Sequence, residues 1–295
     1  HPVTQAELEQ ARRHQAMAAM SGQLGSAAGR PQETASLPAS MVPSEAETEG
    51  TAPKQQEGAG EQPEAGLSRS APLDMPAATV GPLSLRLAAA NGDASAQFEV
   101  GARFAEGHGV KQSFKDAAKW YQRSADQGFA QAQYRLATLY ERGLGLKPDR
   151  EQAAALYERA AAQGNIKSMH NLAVLSANQT DRSPDYASAA HWFSEAAKRG
   201  LPDSQFNLAI LYENGLGVDR DVKQAFMWLS LAARGGDADA IRRRDILRGK
   251  LSAQDIAETE AMISNWRLVP TDRAVNDAVV AGELWKKNPK NGVSG

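Results

Sequence analysis

The sequence contains no cysteine, no long apolar run and no large excess of either charge. Without cysteine the chain cannot form disulfides, thiolate metal sites or a cysteine nucleophile, and it suits an oxidising compartment, although the cytosol tolerates such chains equally well. No segment approaches the roughly 18 apolar residues that a membrane-spanning helix needs. The net charge of −2 gives no field that would draw the molecule onto nucleic acid or an anionic membrane. Because the chain begins at His1, we expect any membrane anchor to lie upstream.

The first part of the chain also lacks aromatic residues, since none precedes Phe98. Residues 1–81 carry ten acidic and five basic side chains in a background rich in Ala, Gln, Pro, Ser and Gly. Such a segment buries too little apolar surface to offset the entropy of ordering it. We predict a disordered acidic tether over 1–81, with a transient helix over 4–20 that begins at Thr4 and has Glu7 three residues later.

Beyond Pro82 the sequence repeats itself every 36 residues. The repeated positions carry Gly92, Gly128, Gly164, Gly200 and Gly236, then Trp120, Leu156, Trp192 and Trp228, and one residue later Tyr121, Tyr157, Phe193 and Leu229. A fixed period of this length is the signature of stacked supersecondary units. The predicted repeats are 92–127, 128–163, 164–199 and 200–235.

Each repeat has the pattern of two helices. In the first, apolar residues recur at helical spacing from Asp93, a candidate N-cap, to the Gly107–Gly109 pair, where glycine can end a helix. A single helix pair has only marginal stability in water, so several pairs must stack to form a stable fold. We predict an all-α fold, a right-handed α/α solenoid of four helix pairs. A lead-in helix over 82–91 precedes it, and a divergent capping pair over 236–267 follows.

The last segment, 268–295, reads as an irregular strap with one short helix around Ala274–Trp285. Trp285 is the residue expected to anchor this strap against the solenoid.

The third repeat departs from the others in the loop between its helices. Both loop glycines are missing, and Gln179, Asp181 and Arg182 occur where the other repeats read glycine-rich sequence. One interpretation is a loop altered to contact a partner. The alternative is neutral drift in a surface loop, which tolerates change.

The divergent cap carries a basic cluster formed by Arg242, Arg243, Arg244, Arg248 and Lys250. It is either a solvated face of the last unit or a patch for an acidic partner, including the chain's own acidic tail. Ser252 and Asp255 form an imperfect capping box for its second helix.

Residues with catalytic or metal-binding spacing are not found. None of the five histidines belongs to an HExxH motif or has the spacing and acidic partner of a metal site. The glycines around His108 lack the preceding strand and the rest of a phosphate-binding loop. We therefore predict a protein that is not an enzyme and needs no cofactor or metal.

The segments AQYRLATLYERGLGLKPDREQAAALYERAAAQG and SQFNLAILYENGLGVDRDVKQAFMWLSLAARG closely resemble the Sel1-like repeat, a relative of the tetratricopeptide repeat. The lead-in GPLSLRLAAANGDASAQFEVGARFAEGHGV and the third repeat's MHNLAVL and PDYASAAHWF resemble the extracytoplasmic region of alphaproteobacterial PodJ-type polar organelle development proteins. That resemblance implies the periplasmic part of a membrane-anchored polarity scaffold. A murein-binding module, which such proteins can carry, is not recognisable in this sequence.

Tetratricopeptide geometry implies that the first helices of the repeats line the concave, ligand-binding face. The inward positions are then Phe98, Tyr134, His170 and Phe206, and the next positions are Glu99, Arg135, Asn171 and Asn207. Asparagine amides can hydrogen-bond a peptide backbone in both directions, so Asn171 and Asn207 are the strongest candidates. The alternative is that the aromatic residues of this set only pack.

Three functions remain open at this stage. The first is a periplasmic interaction scaffold that binds a partner protein or peptide in the groove. The second is a reader of cell-wall material, and the third is a cytoplasmic Sel1-like adaptor.

Overall fold

The computed structural model describes residues 74–179 and 183–291, and within these ranges every regular element is helical. The all-helical array predicted from the 36-residue period is confirmed. The predicted tether and transient helix, apart from residues 74–81, and Asp181 and Arg182 of the third loop lie outside the described residues.

A lead-in helix and four helix pairs make up most of the structure. The lead-in helix is α1 (Leu83–Ala90). The pairs are α2 (Ala94–Glu106) with α3 (Phe114–Asp126), α4 (Ala130–Arg142) with α5 (Arg150–Ala162), α6 (Ile166–Ala177) with α7 (Tyr186–Lys198), and α8 (Pro202–Asn214) with α9 (Val222–Ala232). The most extensive helix packing is within each pair, and each of the first three second helices also packs against the first helix of the next pair. Helix packing is therefore continuous along the array.

Small residues set the distance between the two helices of a pair. Ala137, Ala173 and Ala209 are fully buried. A Cβ added to Gly101, the equivalent residue of the first repeat, would lie 2.6 Å from Cδ1 of Tyr121. The ring of Tyr121 thus packs directly on the α2 backbone.

Close contact between successive repeats requires glycine in the loops. Gly143 ends α4 in the left-handed conformation. Gly145, also at positive φ, lies so close to the start of α3 that an added Cβ would be 2.3 Å from the carbonyl carbon of Phe114. In the same way, a Cβ added to Gly217 would lie 2.1 Å from the carbonyl oxygen of Tyr186 in α7. These loops hold the second and fourth repeats in close contact with the repeats before them.

The third repeat, which lacks these glycines, ends its first helix differently. Asn178 follows α6 without adopting the left-handed conformation. Arg150, from the preceding repeat, donates from Nη2 to the carbonyl oxygens of Leu175 and Asn178, each at 2.6 Å. A guanidinium therefore satisfies carbonyl groups at this helix end, which otherwise lack intrahelical partners.

The two helices after the fourth pair do not repeat the hairpin of the earlier units. Helices α10 (Ala238–Arg248) and α11 (Ala253–Asn265) each pack mainly against α9 rather than against each other. Asp255 N–H donates to the Ser252 hydroxyl at 3.1 Å, as the capping-box pattern predicts.

The strap is more ordered than the sequence suggests. It contains α12 (Arg273–Asn276), α13 (Ala278–Glu283) and a 3-10 turn over Leu284–Lys287. The single helix expected around Ala274–Trp285 is interrupted at Asp277, which has extended backbone angles. Its carboxylate accepts the N–H groups of Val279 and Val280 and so begins α13.

Candidate binding surface on the first helices

The surface formed by α2, α4, α6 and α8, called here the first-helix face, is the predicted ligand-binding side. The strap runs back along this side of the array, from the end of the third repeat to the first. Val269 N–H donates to Lys198 O at 3.0 Å, where the strap leaves α11. Near the second repeat, Val275 O accepts from Gln131 Nε2 at 2.8 Å and from Asn165 Nδ2 at 2.7 Å.

The far end of the strap is fixed at the first repeat. Ser95 Oγ donates to Ala281 O at 2.6 Å, and Trp285 N–H donates to the same hydroxyl at 3.1 Å. Trp285 is 8% exposed and belongs to the apolar cluster that includes Leu85, Val100 and Trp120. Beyond it, the amides of Asn288 and Asn291 both donate to Asp93 Oδ2, at 2.7 and 2.8 Å.

The predicted inward row divides into buried and accessible members. Phe98 is 1% exposed, packs against the rings of Tyr121 and Phe129, and lies under Ala281 and Gly282 of the strap. In contrast, Tyr134 and Phe206 are partly exposed at the edges of the core. Phe98 is therefore a packing residue while the strap is docked.

His170 is also a packing residue, which corrects the expectation that it faces a ligand. It is 6% exposed, its Nδ1 lies 2.8 Å from Ser204 Oγ, and its ring meets the edge of Phe193. Burial lowers the pKa of His170 to about 4, although the Asp203 carboxylate opposes this shift. The imidazole is thus neutral at ordinary pH.

The second predicted row contains one further correction. Asn207 is 4% exposed, and its Nδ2 is buried without a hydrogen-bond partner in the described residues. Asn171, one repeat earlier, is partly exposed and donates from Nδ2 to the Tyr157 hydroxyl at 2.9 Å. The fourth-repeat amide lacks that partner because Phe193 occupies the position of Tyr157. Asn207 is therefore not available to a ligand in this conformation.

The remaining members of this row differ in their charge partners. Glu99 is partly exposed and accepts from Arg103 Nε at 2.7 Å. Arg135 is partly exposed, and its Nε is buried without an acceptor. Its guanidinium lies 6.0 Å from the centre of the Tyr134 ring.

The hydroxyl group of Tyr157 is the centre of a hydrogen-bond network in the middle of the face. The Tyr157 hydroxyl donates to Glu141 Oε2 at 2.6 Å and lies 3.2 Å from Thr138 Oγ1, in addition to accepting from Asn171. Burial, with the Glu141 carboxylate nearby, raises the pKa of Tyr157 well above its usual value. The tyrosine is neutral and able to hold the Asn171 amide in a fixed orientation.

The loop of the third repeat and the basic cluster of the cap were the other candidate binding sites. Gln179 is partly exposed at the end of the third repeat's first helix. The cap arginines form ion pairs: Arg242 with Asp239, Arg243 with Glu213 at 2.8 Å, and Arg244 with Asp245 at 2.8 Å. These carboxylates reduce the positive field that an acidic partner would meet.

Within the described ranges, no group of three or more His, Asp or Glu residues is arranged to hold a metal ion. No helix of this part of the chain is long and apolar enough to cross a membrane.

Comparison with known families identifies the repeated unit. The Sel1 repeat matches residues 94–129, 130–165, 166–201 and 202–237. The chain carries four Sel1 repeats. Their boundaries begin two residues after those counted from the glycines, at the start of each first helix. Sel1 arrays are helical scaffolds typical of protein-interaction modules.

Solved structures of two Sel1-type proteins are similar to this array. A Sel1 repeat protein from Oxalobacter formigenes is 31% identical, with a TM-score of 0.51, over 55% of this chain and 47% of that chain. The protective antigen c5321 of uropathogenic Escherichia coli, which has an SLR fold, is 25% identical with a TM-score of 0.41, over 72% of this chain and 51% of that chain. The chain thus spans about half the length of each. No curated protein matches it significantly in sequence.

Proposed function

We propose that this protein is a non-enzymatic interaction scaffold whose first-helix face binds an extended segment of a partner protein. The observation that carries this proposal is the docked strap. Side chains of the repeats hold two main-chain carbonyl groups of the strap, those of Val275 and Ala281. Recognition of main-chain groups by regularly spaced side chains is how a repeat surface binds a chain with little regular structure.

The strap leaves part of the face open to a second chain. It covers Phe98 in the first repeat, whereas Tyr134, Arg135, Asn171 and Phe206 remain partly exposed. Half-buried aromatic rings provide apolar area at low entropic cost, and the amide and guanidinium groups provide polar contacts. The open part therefore lies mainly on the second to fourth repeats.

Site-specific photo-crosslinking in the native cell tests this function. Phe206→p-benzoylphenylalanine places the probe on the first-helix face in a residue of similar shape. Glu158→p-benzoylphenylalanine is the matched control, because Glu158 is exposed on α5, a second helix. Partner proteins should be crosslinked from position 206 and not from position 158. Crosslinking from 158 alone, or equally from both, would contradict the proposed face.

The cellular role that we propose is that of the periplasmic part of a PodJ-type polarity factor. The resemblance of the lead-in helix and the third repeat to those proteins supports it. Alkaline phosphatase fused to Gly295 should be active in the native cell, and a periplasm-competent fluorescent fusion should collect at one pole. An inactive phosphatase fusion would favour the cytoplasmic adaptor, and a uniform fluorescence would contradict the polarity role.

A second candidate function, binding of cell-wall material, is favoured by one cleft. The cleft lies between α7 and the strap and is lined by Trp192, His191, Glu195, Arg199 and Thr271, among others. An indole face beside polar side chains suits a sugar ring. Purified murein should then pellet the protein, and Trp192→Ala should abolish pelleting while Phe206→Ala does not. Failure of the wild-type protein to pellet would remove this candidate.

A further inference from the structure

Two cations on neighbouring first helices lack counter-charges. Arg135 of α4 and Lys167 of α6 are both partly exposed, and neither forms an ion pair or a side-chain hydrogen bond within the described ranges. Two carboxylates near these helices have other partners: Glu99 binds Arg103, and Glu141 accepts from Tyr157.

The two cations affect each other. The positive charge of Arg135, together with burial as the larger cause, lowers the pKa of the Lys167 ammonium. Like charges held close together without a counter-ion oppose each other's ionisation, and a bound anion would relieve that repulsion. The repeat fold itself holds this unfavourable arrangement, because both residues lie on packed helices.

The Arg135 guanidinium is suited to a carboxylate in particular. Its Nε is buried and lacks an acceptor, which is uncommon for a buried donor in a folded protein. The Nε–H and an Nη–H of arginine form an edge that matches the two oxygens of a carboxylate. Asn171, one helical turn after Lys167, is held in place by Tyr157 and offers an amide beside the pair.

The docked strap shows that a chain can lie next to these residues. Gln131, one turn before Arg135, binds Val275 O, and the N–H of Ile166, adjacent to Lys167, donates to Asn276 Oδ1 at 2.9 Å. The strap's own carboxylate at Asp277 does not fill the site, because it caps α13 and binds Arg273 at 3.2 Å.

We propose that Arg135 and Lys167 form a carboxylate-binding site on the first-helix face, between the second and third repeats. The site receives either the C-terminal carboxylate or an acidic side chain of the bound peptide, with Arg135 as the bidentate donor and Lys167 as the second charge. This inference rests on the proposed function, since it identifies the group that the face recognises.

Nuclear magnetic resonance of the arginine Nε–H groups in the full chain tests the site directly. The Arg135 signal is assigned by its loss in Arg135→Lys. Three N-acetylated hexapeptides of Ala, Gly and Ser serve as probes: one with a free C-terminus, one amidated, and one amidated with a single internal Glu. The free-carboxylate or the Glu peptide should move the Arg135 Nε–H downfield in a saturable way, and the one that does so more strongly identifies the source of the carboxylate.

Matched charge removals complete the test. Lys167→Gln should weaken binding of the carboxylate probe about three- to fivefold, while Lys147→Gln, which removes an exposed loop lysine, should not. Three results would contradict the proposed site. These are an equal loss of affinity for the carboxylate probe in both variants, no saturable shift of the Arg135 Nε–H signal with either carboxylate probe, and tighter binding of inorganic phosphate than of these probes. If the amidated peptide without Glu binds and the Arg135 Nε–H signal does not shift, only the proposed carboxylate site is contradicted. If crosslinking at position 206 also fails, the proposed function fails with it.

Discussion

The Nδ2 of Asn171 donates to the hydroxyl of Tyr157 across 2.9 Å, and this bond joins the first helix of the third repeat to the second helix of the second repeat. Tyr157→Phe removes the acceptor of Asn171 and the donor to Glu141 together. We expect it to lower the free energy of unfolding by about 1–3 kcal/mol, because partly buried polar groups lose their partners. Urea unfolding followed by circular dichroism measures the change.

Tyr121 provides the control for this substitution. It occupies the same position one repeat earlier, and no partner for its hydroxyl occurs among the described residues. Tyr121→Phe should therefore change stability by less than about 0.5 kcal/mol. An equal loss in both variants would show that ring packing, rather than the hydroxyl network, explains the effect at Tyr157.

The strap should depend on Trp285 for its attachment. Trp285→Ala removes a buried indole from the cluster around Leu85 and Trp120, and truncation of a buried tryptophan typically costs about 3–5 kcal/mol. We expect the strap to detach while the repeats stay folded. Hydrogen exchange should become fast over residues 269–284, and binding of a hydrophobic dye should rise as Phe98 is uncovered.

Val279→Ala is the matched control, because Val279 belongs to the same strap but is 68% exposed. It should leave both measurements unchanged. Slow exchange over 269–284 in Trp285→Ala would instead indicate that the hydrogen bonds from Gln131, Asn165 and Ser95 hold the strap without its anchor.

The repeat array could be predicted because the 36-residue period is visible in the sequence itself. The packing contacts within one repeat then recur in the others. The glycine pairs in the loops had a direct steric meaning, because glycine can end a helix in the left-handed conformation. Trp285 was expected to pack on the solenoid. Its partner cluster in the first repeat could not be identified, because the two segments lie far apart along the chain and no periodic pattern connects them.

The candidate site was harder to predict, because position within a repeat does not determine exposure. Asn171 and Asn207 occupy equivalent positions, yet only Asn171 keeps an acceptor, owing to one change from Tyr157 to Phe193. The buried glutamines were also not predicted. Gln97, Gln133 and Gln205 share one repeat position, and each donates to a carbonyl oxygen of the preceding helix. Their 36-residue spacing was a signal that could have identified them.

The close contact at Gly145 should make that position more sensitive than other glycines at positive φ. Gly128→Ala is the reference, since φ is +85° and no atom lies within 4 Å of the added Cβ. It should cost about 1 kcal/mol for the backbone conformation alone. Gly145→Ala adds a clash with the backbone of Phe114 and should cost a further 1–3 kcal/mol, roughly the penalty for overpacking. Thermal and urea unfolding of the two variants measure the difference; equal losses would show that the loop can shift away from α3.

The buried imidazole of His170 should make the stability of the array depend on pH. Its pKa is about 4 in the folded protein and near 6.5 in the unfolded chain, so between these values the unfolded state binds the proton. Stability from this group is therefore fully present above pH 6.5 and is lost as pH falls towards 4, by about 3 kcal/mol in all. Urea unfolding from pH 7.5 to 4.5 should show this slope for the wild-type protein.

His170→Gln isolates that contribution. The glutamine amide can still bond to the Ser204 hydroxyl, yet it does not titrate, so the variant should be less stable at neutral pH while its stability falls less steeply on acidification. Groups that titrate alike in both proteins contribute equally to the two profiles, and subtracting the profiles removes most of their effect. If the two profiles are parallel from pH 6.5 to 4.5, the imidazole must be protonated in the folded state, and the packed arrangement of His170 against Phe193 would have to open to admit the charge.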